Sequence, residues 1–129
     1  MKILGIDYGR SKIGLAIAEG SLADPMGVIR YTDTKTLVEK IIKVIEENDI
    51  EKVIFGISEG EMGEESKNFS LNLGKILTIP VKTFDETLST QDAQRMSLEA
   101  GIGQKKRHEM EDAYAAAVML QNFLDFVNG

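Results

Sequence analysis

The sequence predicts an α/β domain built on one mixed five-stranded sheet with helices packed against it. The N-terminal part contains three strand-like segments joined by short turns, which favours antiparallel pairing. Further along, short apolar segments alternate with segments of helical periodicity. Strands that are joined by helices pair in parallel through right-handed crossovers. The 129 residues form one predicted domain, 1–129, and are enough to bury a core without disulfides.

The predicted elements follow from the spacing of apolar residues. The five predicted strands are Lys2–Tyr8, Ile13–Ala18, Met26–Tyr31, Lys52–Ile57 and Val81–Asp85, with Pro25 and Pro80 where strands could begin. The four predicted helices are Thr36–Asn48, Glu65–Leu77, Thr90–Ala100 and Glu109–Val127. A flavodoxin-like fold would need a helix between the first two strands, where only the four residues from Gly9 to Lys12 lie. The order β-β-β-α-β-α-β-α-α is that of the ribonuclease H-like fold.

Composition excludes several classes of protein. Fifteen basic and 21 acidic residues give a net charge of −6, which argues against a simple basic clamp for nucleic acid. The absence of cysteine excludes disulfides and thiolate metal sites, and one histidine, His108, excludes a multi-histidine site within the chain. No apolar segment approaches the length of a membrane span. The apolar segment at the N-terminus is too short for a signal peptide. We therefore expect a cytoplasmic protein without a membrane partner.

Carboxylates stand at three positions that the predicted fold could bring together. Asp7 ends the first strand, Asp85 and Glu86 follow the fifth, and Asp112 lies on the apolar stripe of the last helix. Each position has an ordinary explanation as well. Asp7 could form the hairpin turn. The other carboxylates could stabilise the N-terminal turns of helices.

Together the three positions favour a metal site more strongly than each does alone. Three adjacent carboxylates repel one another unless a cation lies among them. Hard oxygen ligands without histidine or cysteine favour Mg²⁺ or Mn²⁺. Two such ions can activate a water and stabilise the leaving oxygen in phosphodiester cleavage.

Basic residues flank the predicted site. Lys105, Lys106 and Arg107 form the densest basic cluster, which we place in the loop just before the last helix. Arg10 and Lys12 lie in the turn after Asp7. These residues could contact substrate phosphates, although a short basic cluster is more often a solvated loop.

The chain resembles the YqgF family, also called RuvX, of Holliday-junction resolvases and ribosomal RNA processing nucleases. The resemblance covers nearly the whole chain, in family order. Its segments are Gly5-Ile6-Asp7-Tyr8-Gly9, Lys12-Ile13-Gly14-Leu15-Ala16, Val53-Ile54-Phe55-Gly56-Ile57, Asp85-Glu86-Thr87-Leu88-Ser89-Thr90, Asp112-Ala113-Tyr114-Ala115-Ala116 and Leu120-Gln121. It implies a ribonuclease H-like fold and a metal-dependent endonuclease for branched DNA or structured RNA. It also implies that Asp7, Glu86 and Asp112 are catalytic and bind metal, with Asp85 as a ligand or a supporting residue.

Two other functions remain open from the sequence. The family has an arginine where this chain has Thr87, and the chain is acidic, so a binding protein with weak or no catalysis is the main alternative. The segment Asp7-Tyr8-Gly9-Arg10-Ser11 also resembles the first phosphate loop of actin-like and sugar kinases, but those enzymes need a second domain. A homodimer would suit a symmetric junction substrate.

Overall fold

The computed structural model describes residues 1–57, 60–85 and 104–128, and for residues 85, 104–109 and 128 it describes the backbone alone. Its sheet has five strands in the order β3-β2-β1-β4-β5. They are β1 Lys2–Asp7, β2 Lys12–Glu19, β3 Leu22–Arg30, β4 Lys52–Ile57 and β5 Val81–Asp85. β2 pairs antiparallel with both β1 and β3. β4 pairs in parallel with both β1 and β5. The predicted mixed sheet is confirmed.

β3 differs from its predicted extent. It begins at Leu22 rather than at Met26, so Pro25 lies inside the strand and not at its start. The register between β2 and β3 shifts at Leu15 and Ala16, opposite Pro25. Proline is tolerated there because β3 is an edge strand and the ladder is already interrupted.

Three helices are described: α1 Thr34–Asn48, α2 Glu61–Ile76 and α3 Gln104–Asn128. The carboxylate of Asp33 caps α1 by accepting hydrogen bonds from the amide and the hydroxyl of Thr36, and these bonds lower the pKa of Asp33. α2 begins four residues before its predicted start and takes Glu61 and Glu64 into its first turn. The helix predicted over Thr90–Ala100 lies outside the described residues.

α3 corrects two expectations. It begins at Gln104, five residues before the predicted start at Glu109. The basic cluster at Lys105, Lys106 and Arg107 is therefore helical in its backbone and is not a loop before the helix. Asp112 lies in the third turn of α3, beyond the first turn in which a carboxylate would stabilise the helix dipole.

Each face of the sheet is covered by different helices. On one face Leu4, Ile6 and Phe55 pack with Leu37 of α1 and Phe69 of α2. On the other face Ile3, Ala16 and Ile54 pack with Ala116 and Leu120 of α3. Strand alternation sends neighbouring residues of β1 to these two cores. Within the described ranges, no helix is long and apolar enough to cross a membrane.

Gln121 fixes the position of α3 along the sheet. Its side-chain amide donates to the carbonyl oxygen of Ser21 at 2.9 Å, and its side-chain oxygen accepts from the amide of Ala23 at 2.9 Å. Ser21 lies in the turn between β2 and β3, and Ala23 is the second residue of β3. α3 is thereby held at one end of β2 through Gln121, and its earlier turns are directed to the other end.

We expect Gln121→Ala to lower the free energy of unfolding by about 1–2 kcal/mol, because two hydrogen bonds to the turn are lost. Urea unfolding followed by circular dichroism measures the change. Asn122→Ala, at the exposed neighbouring position, is the control and should change stability by less than about 0.5 kcal/mol. Equal stabilities for the two variants would contradict the role given to Gln121.

Candidate active site

Asp7 lies at the carboxyl end of β1 between two glycines. Its partner in β2 is Gly14 and its partner in β4 is Gly56. By strand alternation Asp7 shares a face with Ile3 and Gly5, the face that α3 covers. Paired strand residues point to the same face, so neither neighbour of Asp7 in the sheet has a side chain on the face where Asp7 lies.

Gly14 allows α3 to reach this end of the sheet. A Cβ atom at position 14 would overlap the carbonyl oxygen of Asp112 and lie 2.9 Å from the amide nitrogen of Ala113. The obstacle is helix backbone, which cannot move aside as a flexible side chain can. Gly14 therefore contacts the Asp112 backbone on one side and pairs with Asp7 in the sheet on the other. The backbone of Asp112 and the strand residue Asp7 thus both adjoin Gly14.

Lys12 joins this site through an ion pair with Asp112. Its Nζ lies 3.0 Å from Oδ2 of Asp112. The side chains of Lys12 and Asp112 are 38% and 29% exposed. Lys12 lies two residues before Gly14 and so on the same face of β2. Partial burial weakens screening by water, so this ion pair is stronger than one at a fully exposed site.

Arg30 is a basic residue beside the site that the sequence analysis missed. It pairs with Lys12 across β2 and β3, so the two cationic side chains stand on the same face of the sheet. Arg30 is exposed, and none of the described carboxylates forms an ion pair with it. Pairing β2 with β3 as a hairpin could have identified Arg30 as the partner of Lys12. The predicted start of β3 was too late in the sequence for the register of this pairing to be assigned.

Arg10 lies beside a different helix from Lys12. Its Nη2 lies 2.8 Å from Oε2 of Glu65, and its Nε donates to the same oxygen at 2.9 Å. Glu61 lies 3.6 Å away. Hydrogen bonding to Glu65 raises the pKa of Arg10. Arg10 thus contacts α2, whereas Lys12 contacts α3.

Tyr31 holds the turn that carries Arg10. Its hydroxyl donates to the carbonyl oxygen of Gly9, and its amide donates to the carbonyl oxygen of Ser11 at 3.0 Å. Burial, followed by hydrogen bonding with Tyr8, raises the pKa of Tyr31, so its hydroxyl keeps its proton near neutral pH. Tyr8 stacks on Phe69 of α2 at a centroid distance of 5.0 Å. These contacts fix the backbone that follows Asp7.

The residues present fit a magnesium or manganese ion. Asp7 and Asp112 supply carboxylate oxygens, and Mg²⁺ is usually held by one or two carboxylates while keeping several waters. Within the described ranges no group of three or more acidic, histidine or cysteine side chains is close enough to hold a metal. Glu86, the side chain of Asp85, and those of Lys105, Lys106 and Arg107 lie outside what the structure describes.

Comparisons with known proteins agree with this fold. The family model RuvX, described as a Holliday junction resolvase, matches residues 1–126. A protein of Oceanobacillus iheyensis named "Putative pre-16S rRNA nuclease" is 36% identical, over 97% of this chain and 98% of its own length. One of the same name from Halothermothrix orenii is 36% identical over 99% of this chain and 97% of its own. The chain belongs to the RuvX family.

Solved structures of resolvases share the architecture. Thermus thermophilus RuvC in complex with a Holliday junction substrate superposes with a TM-score of 0.66, at 15% identity, over 100% of this chain and 98% of that one. Fowlpox virus resolvase, in complex with Holliday junction DNA, gives a TM-score of 0.66 at 14% identity over 100% of both chains. At these identities the likeness shows the ribonuclease H-like fold.

We expect Gly14→Ala to lower the free energy of unfolding by about 1–3 kcal/mol, because the added methyl group pushes α3 away from β2. Thermal and urea unfolding measure the loss. Gly27→Ala in β3 is the matched control, since a Cβ there has no neighbour within 4 Å. It should be neutral or stabilise the fold by up to about 1 kcal/mol. A Gly14 variant as stable as the Gly27 variant would contradict the close approach of α3.

Proposed function

We propose that this protein is a metal-dependent endonuclease that hydrolyses phosphodiester bonds in structured nucleic acid. The observation that supports the proposal is that Gly14 pairs with Asp7 at the carboxyl end of β1 and also lies against the backbone of Asp112. The full-length similarity to proteins named as pre-16S rRNA nucleases supports the reaction class. A bound Mg²⁺ or Mn²⁺ supplies an activated water and stabilises the leaving oxygen in such a reaction.

Asp7 and Asp112 would hold the metal from two elements that are fixed against each other. Asp7 is set by sheet pairing on both sides, and Asp112 by the contact of its own backbone with Gly14. Rigid supporting elements keep ligands within the narrow geometry that Mg²⁺ requires. Lys12 and Arg30 would bind substrate phosphates beside these carboxylates, and phosphate contacts position nucleic acid without reading its sequence.

Strand alternation argues against Asp85 as a third ligand. Val81 of β5 packs in the core shared with α1 and α2, and Phe84 packs in the core against α3. Even-numbered positions of β5 therefore belong to the face on which Asp7 lies. Asp85, the last residue of β5, does not have this parity.

We propose a ribosomal RNA precursor as the substrate, with branched DNA as the second candidate. The relatives that are 36% identical are named as pre-16S rRNA nucleases. The solved structures bound to Holliday junctions are 14–15% identical and share only the fold. A homodimer and a cytoplasmic location stay predictions. A panel containing a 16S ribosomal RNA precursor and a four-way DNA junction separates the two substrates.

Asp7→Asn and Asp112→Asn should each reduce cleavage about 100-fold or more, since loss of a metal ligand removes several kcal/mol of transition-state stabilisation. Gel assays with Mg²⁺ or Mn²⁺ on both substrates measure the rates. Asp24→Asn, an exposed carboxylate on β3, is the control and should keep full activity. Glu86→Gln should be inactive and Asp85→Asn active.

Cleavage that survives Asp7→Asn would contradict the mechanism. No cleavage of either substrate by the wild-type protein would favour the non-catalytic binding protein.

We expect Arg30→Ala to weaken nucleic-acid binding several-fold on all sequences and to reduce the salt slope of log K by about 1, because one phosphate contact is lost. Fluorescence anisotropy with a labelled RNA hairpin at several salt concentrations measures both quantities. Lys43→Ala on the exposed face of α1 is the control and should change neither. Equal effects of the two substitutions would show that Arg30 contributes only net charge.

A further inference from the structure

Lys12 and a metal ion would need the same carboxylate. The ammonium of Lys12 lies 3.0 Å from Oδ2 of Asp112, at the place where a metal coordinated by Asp112 would carry its own positive charge. Two cations at one carboxylate repel each other, and the repulsion is strong at a half-buried site. The ion pair seen here and metal coordination by Asp112 therefore compete for the same negative charge.

The position of Lys12 suggests where its ammonium goes when it leaves Asp112. Lys12 is 38% exposed, and it stands opposite Arg30 on the same face of the sheet. Like charges directly opposite each other across strands are destabilising. If Lys12 lost Asp112 as its partner, Lys12 and Arg30 would be two adjacent cations without a neutralising anion at the edge of the site. A substrate phosphate is the anion that can compensate both.

The side-chain chemistry of lysine suits such an exchange. Its ammonium is a compact charge on a flexible stem, with donors that can turn from one oxygen to another. A Lys12 side chain that moves between a carboxylate and a phosphate needs no backbone change, and the strand that carries it stays paired with β1 and β3.

We infer that Lys12 exchanges between Asp112 in the metal-free protein and a substrate phosphate in the metal-bound protein, so that metal and nucleic acid bind cooperatively through this residue. The inference rests on the proposed function, because it takes Asp112 as a metal ligand. Thermodynamic linkage makes this coupling reciprocal. Bound metal and bound nucleic acid each strengthen the binding of the other by the same factor. Lys12 thus competes with the metal in the free protein and binds the nucleic acid once the metal is present.

Isothermal titration with MnCl₂ in the absence of nucleic acid tests this role. Lys12→Met keeps the length of the aliphatic stem and removes the competing ammonium, so it should bind Mn²⁺ about 3- to 30-fold more tightly than the wild type. Lys12→Arg keeps the charge and should bind Mn²⁺ as the wild type does. Lys43→Met, which breaks the exposed ion pair of Lys43 with Glu47 on α1, is the matched control and should leave Mn²⁺ affinity unchanged.

A second measurement reports the coupling. Binding of a labelled DNA duplex, followed by anisotropy with gel verification that the strands stay intact, should strengthen on addition of Mn²⁺. The gain should be several-fold larger for the wild type than for Lys12→Met.

The outcomes separate this inference from the proposed function. Mn²⁺ binding by the wild type, with equal or weaker binding by Lys12→Met, would overturn the exchange and leave the proposed function standing. No Mn²⁺ binding by the wild type would contradict the proposed function, and the exchange with it.

Discussion

The contact of α3 with Gly14 of β2 is the constraint on which the site depends. Since a Cβ at this position would overlap the backbone of Asp112, only glycine lets the helix lie so close to the sheet. Gln121 holds the same helix at the far end of β2. With the helix fixed at two places, the backbone of Asp112 has a defined position at the end of the sheet where Asp7 lies. A loosely packed helix would leave the two carboxylates too variable in separation for a small octahedral ion.

The second feature is the local arrangement of charge in an acidic protein. The chain carries a net charge of −6, which opposes nucleic-acid binding at long range. Lys12 and Arg30 nevertheless stand side by side at the end of β2 and β3, next to the candidate carboxylates. Arg10 is turned toward α2 by Glu61 and Glu65. Two cationic side chains thus stand beside the candidate carboxylates, and screening by salt makes distant acidic residues matter less than near ones.

The sequence predicted the architecture well because strand and helix periodicities are strong in this chain. The predicted start of α3 was wrong because the residues from Gln104 to Glu109 are mainly polar and show no apolar periodicity. Arg30 and the role of Gly14 were missed for another reason. The position of Arg30 depends on its pairing across the sheet, where a β-bulge beside Pro25 shifts the register. The role of Gly14 depends on the packing of α3 over β2. Such tertiary contacts leave no local signal in one sequence.

Anomalous scattering from crystals soaked in Mn²⁺ locates the ion without relying on activity. The proposed metal site requires a peak within direct coordination distance of carboxylate oxygens of both Asp7 and Asp112, with Nζ of Lys12 moved away from Asp112. A peak elsewhere, or no peak with the Lys12–Asp112 ion pair intact at saturating Mn²⁺, would contradict it.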